Sequence, residues 1–261
     1  MSRTYLALLH YDGREFAGWQ RQATGRTVQG ELEGVLERLC GRRVVVAAAG
    51  RTDAGVHALG MGVSFSVPAR WAAGPLQRAL NGLLPRDCWV ERLTAMVQGF
   101  HARKSATGRR YRYLIGTDEA SASPFRRPYE WSLGRPLDGE LLERAASMIA
   151  GEHDFPAFAV RRPEDRSERP YRCLIRRAEW ETRAGGEGHA FHIAADRFLH
   201  HMVRFLVGTM VDIGLGRRPV EDMTTLLARL DNQATSPPAP PQGLYFVAAE
   251  YPRSWYAGDP E

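Results

Sequence analysis

The stretch Gly50-Arg51-Thr52-Asp53-Ala54-Gly55-Val56-His57-Ala58-Leu59-Gly60-Met61-Gly62-Val63-Ser64-Phe65-Ser66-Val67 holds a loop and then a strand. From Leu59 onward the apolar residues Leu59, Met61, Val63, Phe65 and Val67 alternate with small ones, the period-two signature of a strand. Upstream, Val44 to Ala49 reads as a short apolar strand. Val28, Leu32, Val35, Leu36 and Leu39 recur at helical spacing and predict a helix ending near Gly41, and Thr4 to Tyr11 reads as a strand. Downstream come a helix around Pro75 to Leu84 and a strand from Cys88 to Val97. The first half is therefore βαββαβ.

The second half has the same order. A strand at Arg109 to Thr117 precedes a helix at Leu141 to Ala150, whose apolar face is Leu141, Leu142, Ala145, Met148 and Ile149. Strands follow at Tyr171 to Thr182 and His189 to Asp196. A long helix over Phe198 to Ile213, a helix near Val220 to Leu230 and a strand at Leu244 to Tyr251 complete the half. The segment Arg161 to Pro170 mixes both charge signs with prolines and reads as a mobile loop. Ser236 to Pro241 is proline-rich and reads as a stiff connector. The fold class expected is α+β, with two ferredoxin-like βαββαβ subdomains over 1–105 and 106–261. Set edge to edge, they would form a continuous, mostly antiparallel sheet with helices on one face and a central cleft, a favoured place for ligands.

The 261 residues are 44% hydrophobic and 25% charged, which describes a folded chain and excludes a disordered one. No apolar run approaches the roughly 20 residues of a membrane span. The N-terminus lacks a signal peptide's apolar core, so the expected compartment is the cytoplasm. Cys40, Cys88 and Cys173 are isolated and odd in number, which fits buried cysteines better than disulfides or metal ligands. The net charge is +5 and Lys104 is the only lysine. A GC-rich coding sequence gives the same arginine bias, but guanidinium is also the better bidentate phosphate ligand, so nucleic acid becomes a candidate partner.

An aspartate in Thr-Asp-Ala-Gly can be a turn residue that caps backbone N–H groups. Asp53, however, stands between two strands, two residues after Arg51 and just before Gly55 and His57. A carboxylate on so fixed a loop among cationic neighbours stays ionised and can serve as nucleophile or base.

The loop Gly50 to His57 resembles the catalytic-aspartate motif of the TruA family of tRNA pseudouridine synthases. The resemblance extends to Tyr11-Asp12-Gly13 with Gly18-Trp19-Gln20-Arg21-Gln22, Phe100-His101-Ala102-Arg103, Arg110-Tyr111-Arg112-Tyr113, Phe198 to Arg204, and Gly243-Leu244-Tyr245. It implies cofactor-free isomerisation of uridine to pseudouridine at positions 38 to 40 of the tRNA anticodon arm, by a homodimer, with Asp53 as the catalytic aspartate.

On the predicted strand, Tyr111 and Tyr113 share one face and Arg110 and Arg112 the other. The resemblance makes Tyr111 the aromatic platform for a flipped uracil, while Tyr113 is read as core. On the long helix, Arg197, His200, His201 and Arg204 stand at i, i+3, i+4 and i+7 and form a polar stripe. A charge on so apolar a helix needs a partner, and Asp53 is the partner expected for Arg204, in agreement with the resemblance. No metal is expected, because His200 and His201 are adjacent and point differently and nothing nearby in the sequence supplies a matched acidic ligand. Arg21, Arg51, Arg103, Arg109 and Arg110 are candidate phosphate contacts, and Leu244 a substrate-binding residue by resemblance. Pro156, Ala157 and Lys104 depart from the family pattern. Exposed apolar surface for a dimer is expected around Trp131 or Phe155 to Phe158.

Overall fold

The computed structural model describes residues 2–160 and 171–258; the expected loop at 161–170 lies outside the described residues. The chain forms two compact units. One comprises the residues up to 109 together with those from 245 on, the other residues 110–244.

The first unit contains β1 (Ser2–Tyr11), α1 (Val28–Cys40), β2 (Ala47–Ala48), β3 (His57–Pro68), α2 (Ala73–Leu83) and β4 (Cys88–Met96). β1 is central, antiparallel to β3 on one side and to β4 on the other, and β2 pairs antiparallel with β3. This is the split arrangement that the βαββαβ order predicts. Helix α1 starts where the Thr27 side chain accepts the Gly30 N–H and stops at Gly41, whose φ of 70° ends the helix. Its Val28, Leu32, Val35 and Leu36 are buried. The strand expected over Val44 to Ala49 shrinks to two residues. Val44 and Val46 point inward and Val45 is 65% exposed, but only Ala47 and Ala48 pair with β3.

The second unit follows with β5 (Gly108–Gly116), which opens at the boundary, β6 (Trp131–Ser132), α3 (Gly139–Ser147), β7 (Gly151–Asp154), β8 (Arg172–Thr182), β9 (Gly188–Ala195), α4 (Met202–Gly214) and α5 (Asp222–Leu227). Its strands run in the order β5-β9-β8-β7, with β6 parallel to β5. Helix α4 is the core element, with nearly every residue buried. Gly208 lets the proline-rich connector cross it, since a Cβ there would lie 2.1 Å from the Pro237 carbonyl oxygen.

Two expectations for this unit are corrected. The long helix begins at Met202, not Phe198, because His201 adopts a left-handed conformation with φ 63° that no helix interior accepts. Arg197, His200 and His201 therefore precede the helix and share no stripe with Arg204. Phe155 to Phe158, proposed as exposed dimer surface, is buried. Trp131 is half-buried and packs edge-on against Tyr113.

The last strand, β10 (Leu244–Glu250), runs parallel to β3, with Tyr245 opposite His57 and Phe246 opposite Ala58. The chain then returns along β4 through hydrogen bonds from Val97 N–H to the Trp255 carbonyl (3.0 Å) and from Ala257 N–H to the Ala95 carbonyl (3.1 Å). Tyr251, Trp255 and Tyr256 thereby cover the cluster Leu6, Met96, Phe100 and Ala102. The second subdomain expected from the sequence includes this strand, whereas residues from 245 on group with the first unit. Both units are α+β and mostly antiparallel. Among the described residues no helix is long and apolar enough to cross a membrane.

Candidate active site

The loop between β2 and β3 is held by the segment that follows β1. The Trp19 N–H donates to the Thr52 carbonyl (3.0 Å) and the Gly55 N–H to the Phe16 carbonyl (3.4 Å). The hydroxyls of Tyr11 and Thr52 meet at 2.8 Å in a buried pair. The two backbones touch so closely that side chains are excluded. A Cβ on Gly13 would lie 2.0 Å from the Val56 carbonyl oxygen, and one on Gly18, at φ 102°, would lie 2.7 Å from that of Thr52. The Tyr11-Asp12-Gly13 and Gly18-Trp19 blocks thus supply the clamp for the Asp53 loop.

His57 closes the loop from the other end. Its Nδ1 accepts the Gly13 N–H at 3.1 Å, and its ring stacks on Tyr245 with centroids 4.9 Å apart. The Asp12 carboxylate lies 3.3 Å from the same nitrogen. Burial works to raise the Asp12 pKa, but the hydrogen bonds from Arg14 together with the charges of His57 and Arg14 outweigh it and hold the carboxyl below its ordinary value. Asp53 sits at the middle of this clamp, half-buried, with its carbonyl accepting the Val56 N–H at 3.2 Å.

The other residues of the first unit differ in setting. Arg51 and Arg103 are exposed. Arg21 is exposed too, and its guanidinium lies 3.8 Å from Glu33. Arg109 is half-buried and donates to backbone carbonyls.

In the second unit Tyr111 is 9% exposed and meets the Phe198 ring edge-on at 5.0 Å, while Arg110 is exposed. Tyr113 is fully buried, and its hydroxyl donates to the Pro240 carbonyl at 2.7 Å. Burial drives its pKa well up, with the nearby Arg204 charge partly opposing. Arg204 is tied to the connector in both directions. Its Nε donates to the Ala239 carbonyl (2.7 Å), and its own carbonyl accepts the Ala239 N–H (2.9 Å). Leu244 is buried. The imidazoles of His200 and His201 lie against each other, centroids 3.9 Å apart, so the expectation that they point apart fails along with the helix it assumed.

The sequence gives Tyr11, Thr52 and Phe198 no role of their own and reads His57 only as a cationic neighbour of Asp53. Each lies within a quoted block, but residue type alone does not separate a clamp from a contact.

A loop gripped by backbone on one side and by a stacked histidine on the other holds its carboxylate in one place, the preorganisation that chemistry at an acidic group requires. Comparison with known proteins supplies the family. A family model described as tRNA pseudouridine synthase matches residues 7–103 and 145–252, a span that includes Asp53 and Arg204 and leaves Tyr111 between its two parts. The chain is 42% identical to tRNA pseudouridine synthase A of Solidesulfovibrio magneticus, covering 100% of this chain and 95% of that protein. It is 42% identical to the protein of that name from Thermus thermophilus (96% and 97% covered) and 40% identical to that from Myxococcus xanthus (93% and 90%). The chain belongs to the tRNA pseudouridine synthase family, whose members are isomerases acting on uridine in tRNA.

Proposed function

We propose that this chain converts uridine to pseudouridine at positions 38, 39 and 40 of the tRNA anticodon stem-loop, in the cytoplasm, as a homodimer and without cofactor or metal. The observation that carries the reading is the clamped Asp53 loop in a member of this family. The C1′–N1 bond breaks, the uracil rotates and C5 joins C1′; C5 loses a proton and N1 gains one. The reaction is redox-neutral and needs an ionised carboxylate beside an unstacked base. Asp53 is that carboxylate, Tyr111 stacks on the uracil, and Arg204 keeps Asp53 ionised and oriented. Arg51 and Leu244 contact the substrate, and Arg21, Arg103 and Arg110 contact phosphates. Segment 1–105 contributes the aspartate, and segment 106–261 the tyrosine and the pairing arginine.

The test is a carbodiimide-based pseudouridine map of tRNA treated with wild type, Asp53→Asn and Arg204→Met. Wild type yields product at 38 to 40, Asp53→Asn yields none, and Arg204→Met loses turnover more than tRNA affinity. Product from Asp53→Asn at the wild-type rate, or release of free uracil, overturns the mechanism. Product elsewhere overturns the site. Full turnover by a monomer in light scattering overturns the dimer.

A further inference from the structure

Arg109 stands beside the predicted RNA-facing residues, yet its guanidinium is turned into the protein. Nε and one Nη both donate to the Ala49 carbonyl, at 3.2 and 3.1 Å. That same Nη donates to the Arg103 carbonyl at 2.7 Å, and the other to the Ala106 carbonyl at 3.1 Å. Ala49 is the last buried residue before the Asp53 loop, and its N–H is already held by the Gly62 carbonyl of β3 at 2.7 Å. Strand β2 ends at Ala48, and it is just past this end that the fork of Arg109 binds the Ala49 carbonyl. The turn over residues 101–106 is anchored independently, by the Ala102 N–H donating to Ser64 Oγ at 2.9 Å and by the Ser105 N–H donating to the His101 carbonyl at 2.9 Å.

We infer that Arg109 is a positioning residue for the reaction: it ties the root of the Asp53 loop to the 101–106 turn and so sets where the carboxylate stands. The inference rests on Asp53 being the reacting carboxylate. A planar guanidinium with donors along two edges can bind one carbonyl twice and two others at once. An ammonium is a single point and cannot. Positional errors near 1 Å at a reacting group cost on the order of a hundredfold in rate, so loss of the tie should appear in turnover rather than in affinity.

The experiment compares wild type, Asp53→Asn, Arg109→Lys and Arg109→Met on a tRNA transcript. It measures single-turnover rate at saturating tRNA, tRNA affinity across a salt series, and amide hydrogen exchange by peptide. If Asp53→Asn retains full activity, the underlying reading fails and the inference with it. If Asp53→Asn is inactive, the expected result is a ten- to hundredfold rate loss in both Arg109 variants, lysine included. Affinity and salt slope should stay within twofold of wild type. Exchange should rise in peptides covering 49–56 and stay unchanged in α1. Three outcomes overturn the inference. Arg109→Lys at wild-type rate is one. A salt slope reduced by about one, with turnover intact, is another, because it marks a phosphate contact. The third is a variant that fails to fold or loses protection throughout, which makes Arg109 a residue of the fold as a whole.

Discussion

Removing the Tyr11 hydroxyl should loosen the Asp53 loop by an amount that the structure bounds. Tyr11 is 4% and Thr52 7% exposed, and their hydroxyls pair at 2.8 Å. Tyr11→Phe leaves the Thr52 hydroxyl buried without this partner, which costs about 1–3 kcal/mol. Thr52→Val does the same to the tyrosine hydroxyl. The double variant removes both polar groups, so its cost falls back toward the net worth of one hydrogen bond, about 1 kcal/mol. The two single losses should therefore sum to more than the double loss, with an interaction energy of at least about 1 kcal/mol. Each single variant should melt about 2–12 °C below wild type, at the roughly 2–4 °C per kcal/mol expected for a chain of this size. The assay is urea unfolding of all four proteins, with pseudouridine formation measured in parallel; the double variant should recover both stability and rate relative to the worse single variant. Additive losses, within about 0.5 kcal/mol, would refute the claim that this pair clamps the loop.

Burial pushes the thiols of Cys88 and Cys173 up to about 12, so iodoacetamide at pH 8 should label neither in the native protein and both in denaturant. Rapid native labelling of either, read by peptide mass spectrometry, would contradict that burial. Asp12 has a folded pKa below its ordinary value of 3.8, so its ionised form stabilises the fold above that value and loses this contribution as pH falls through the folded pKa. The stability gap between wild type and Asp12→Asn should thus be constant from pH 7 to about pH 5 and shrink below about pH 4. A gap unchanged down to pH 3 would show that Arg14 and His57 do not hold the carboxyl ionised.

How legible the fold was depended on whether local chemistry or distant pairing decided each element. Helix α1 could be read because Thr27 and Gly41 mark its ends and its apolar residues keep a helical period. Strand β3 could be read because small and apolar residues alternate. The start of α4 could not, since Phe198 and Leu199 continue the apolar pattern and nothing in His201 announces a left-handed backbone. Strand β7, Gly151–Asp154, is charged and four residues long, and only its pairing with β8 makes it a strand. The parallel contact of β10 with β3 joins segments far apart in the sequence, which no local window contains. At the site, the motif Gly50 to His57 pointed to Asp53, and the structure adds how the loop that carries it is held. Residue identity did not show that Arg109 points inward, because an arginine in a basic run looks the same facing phosphate or facing carbonyls.

The return of residues 245–257 to the first unit sets the timing of maturation during translation. The Asp53 loop, the segment before α1 and strands β1 to β4 are all synthesised in the first hundred residues. His57 must nevertheless wait for Tyr245 before it has its stacking partner, and Leu6, Met96, Phe100 and Ala102 must wait for Tyr251 and Trp255 before they are covered. A ribosome-bound chain therefore carries its aspartate for most of its synthesis on an unfinished support. Chains cut short before Tyr245 should expose that apolar cluster and become substrates for proteases rather than partial enzymes.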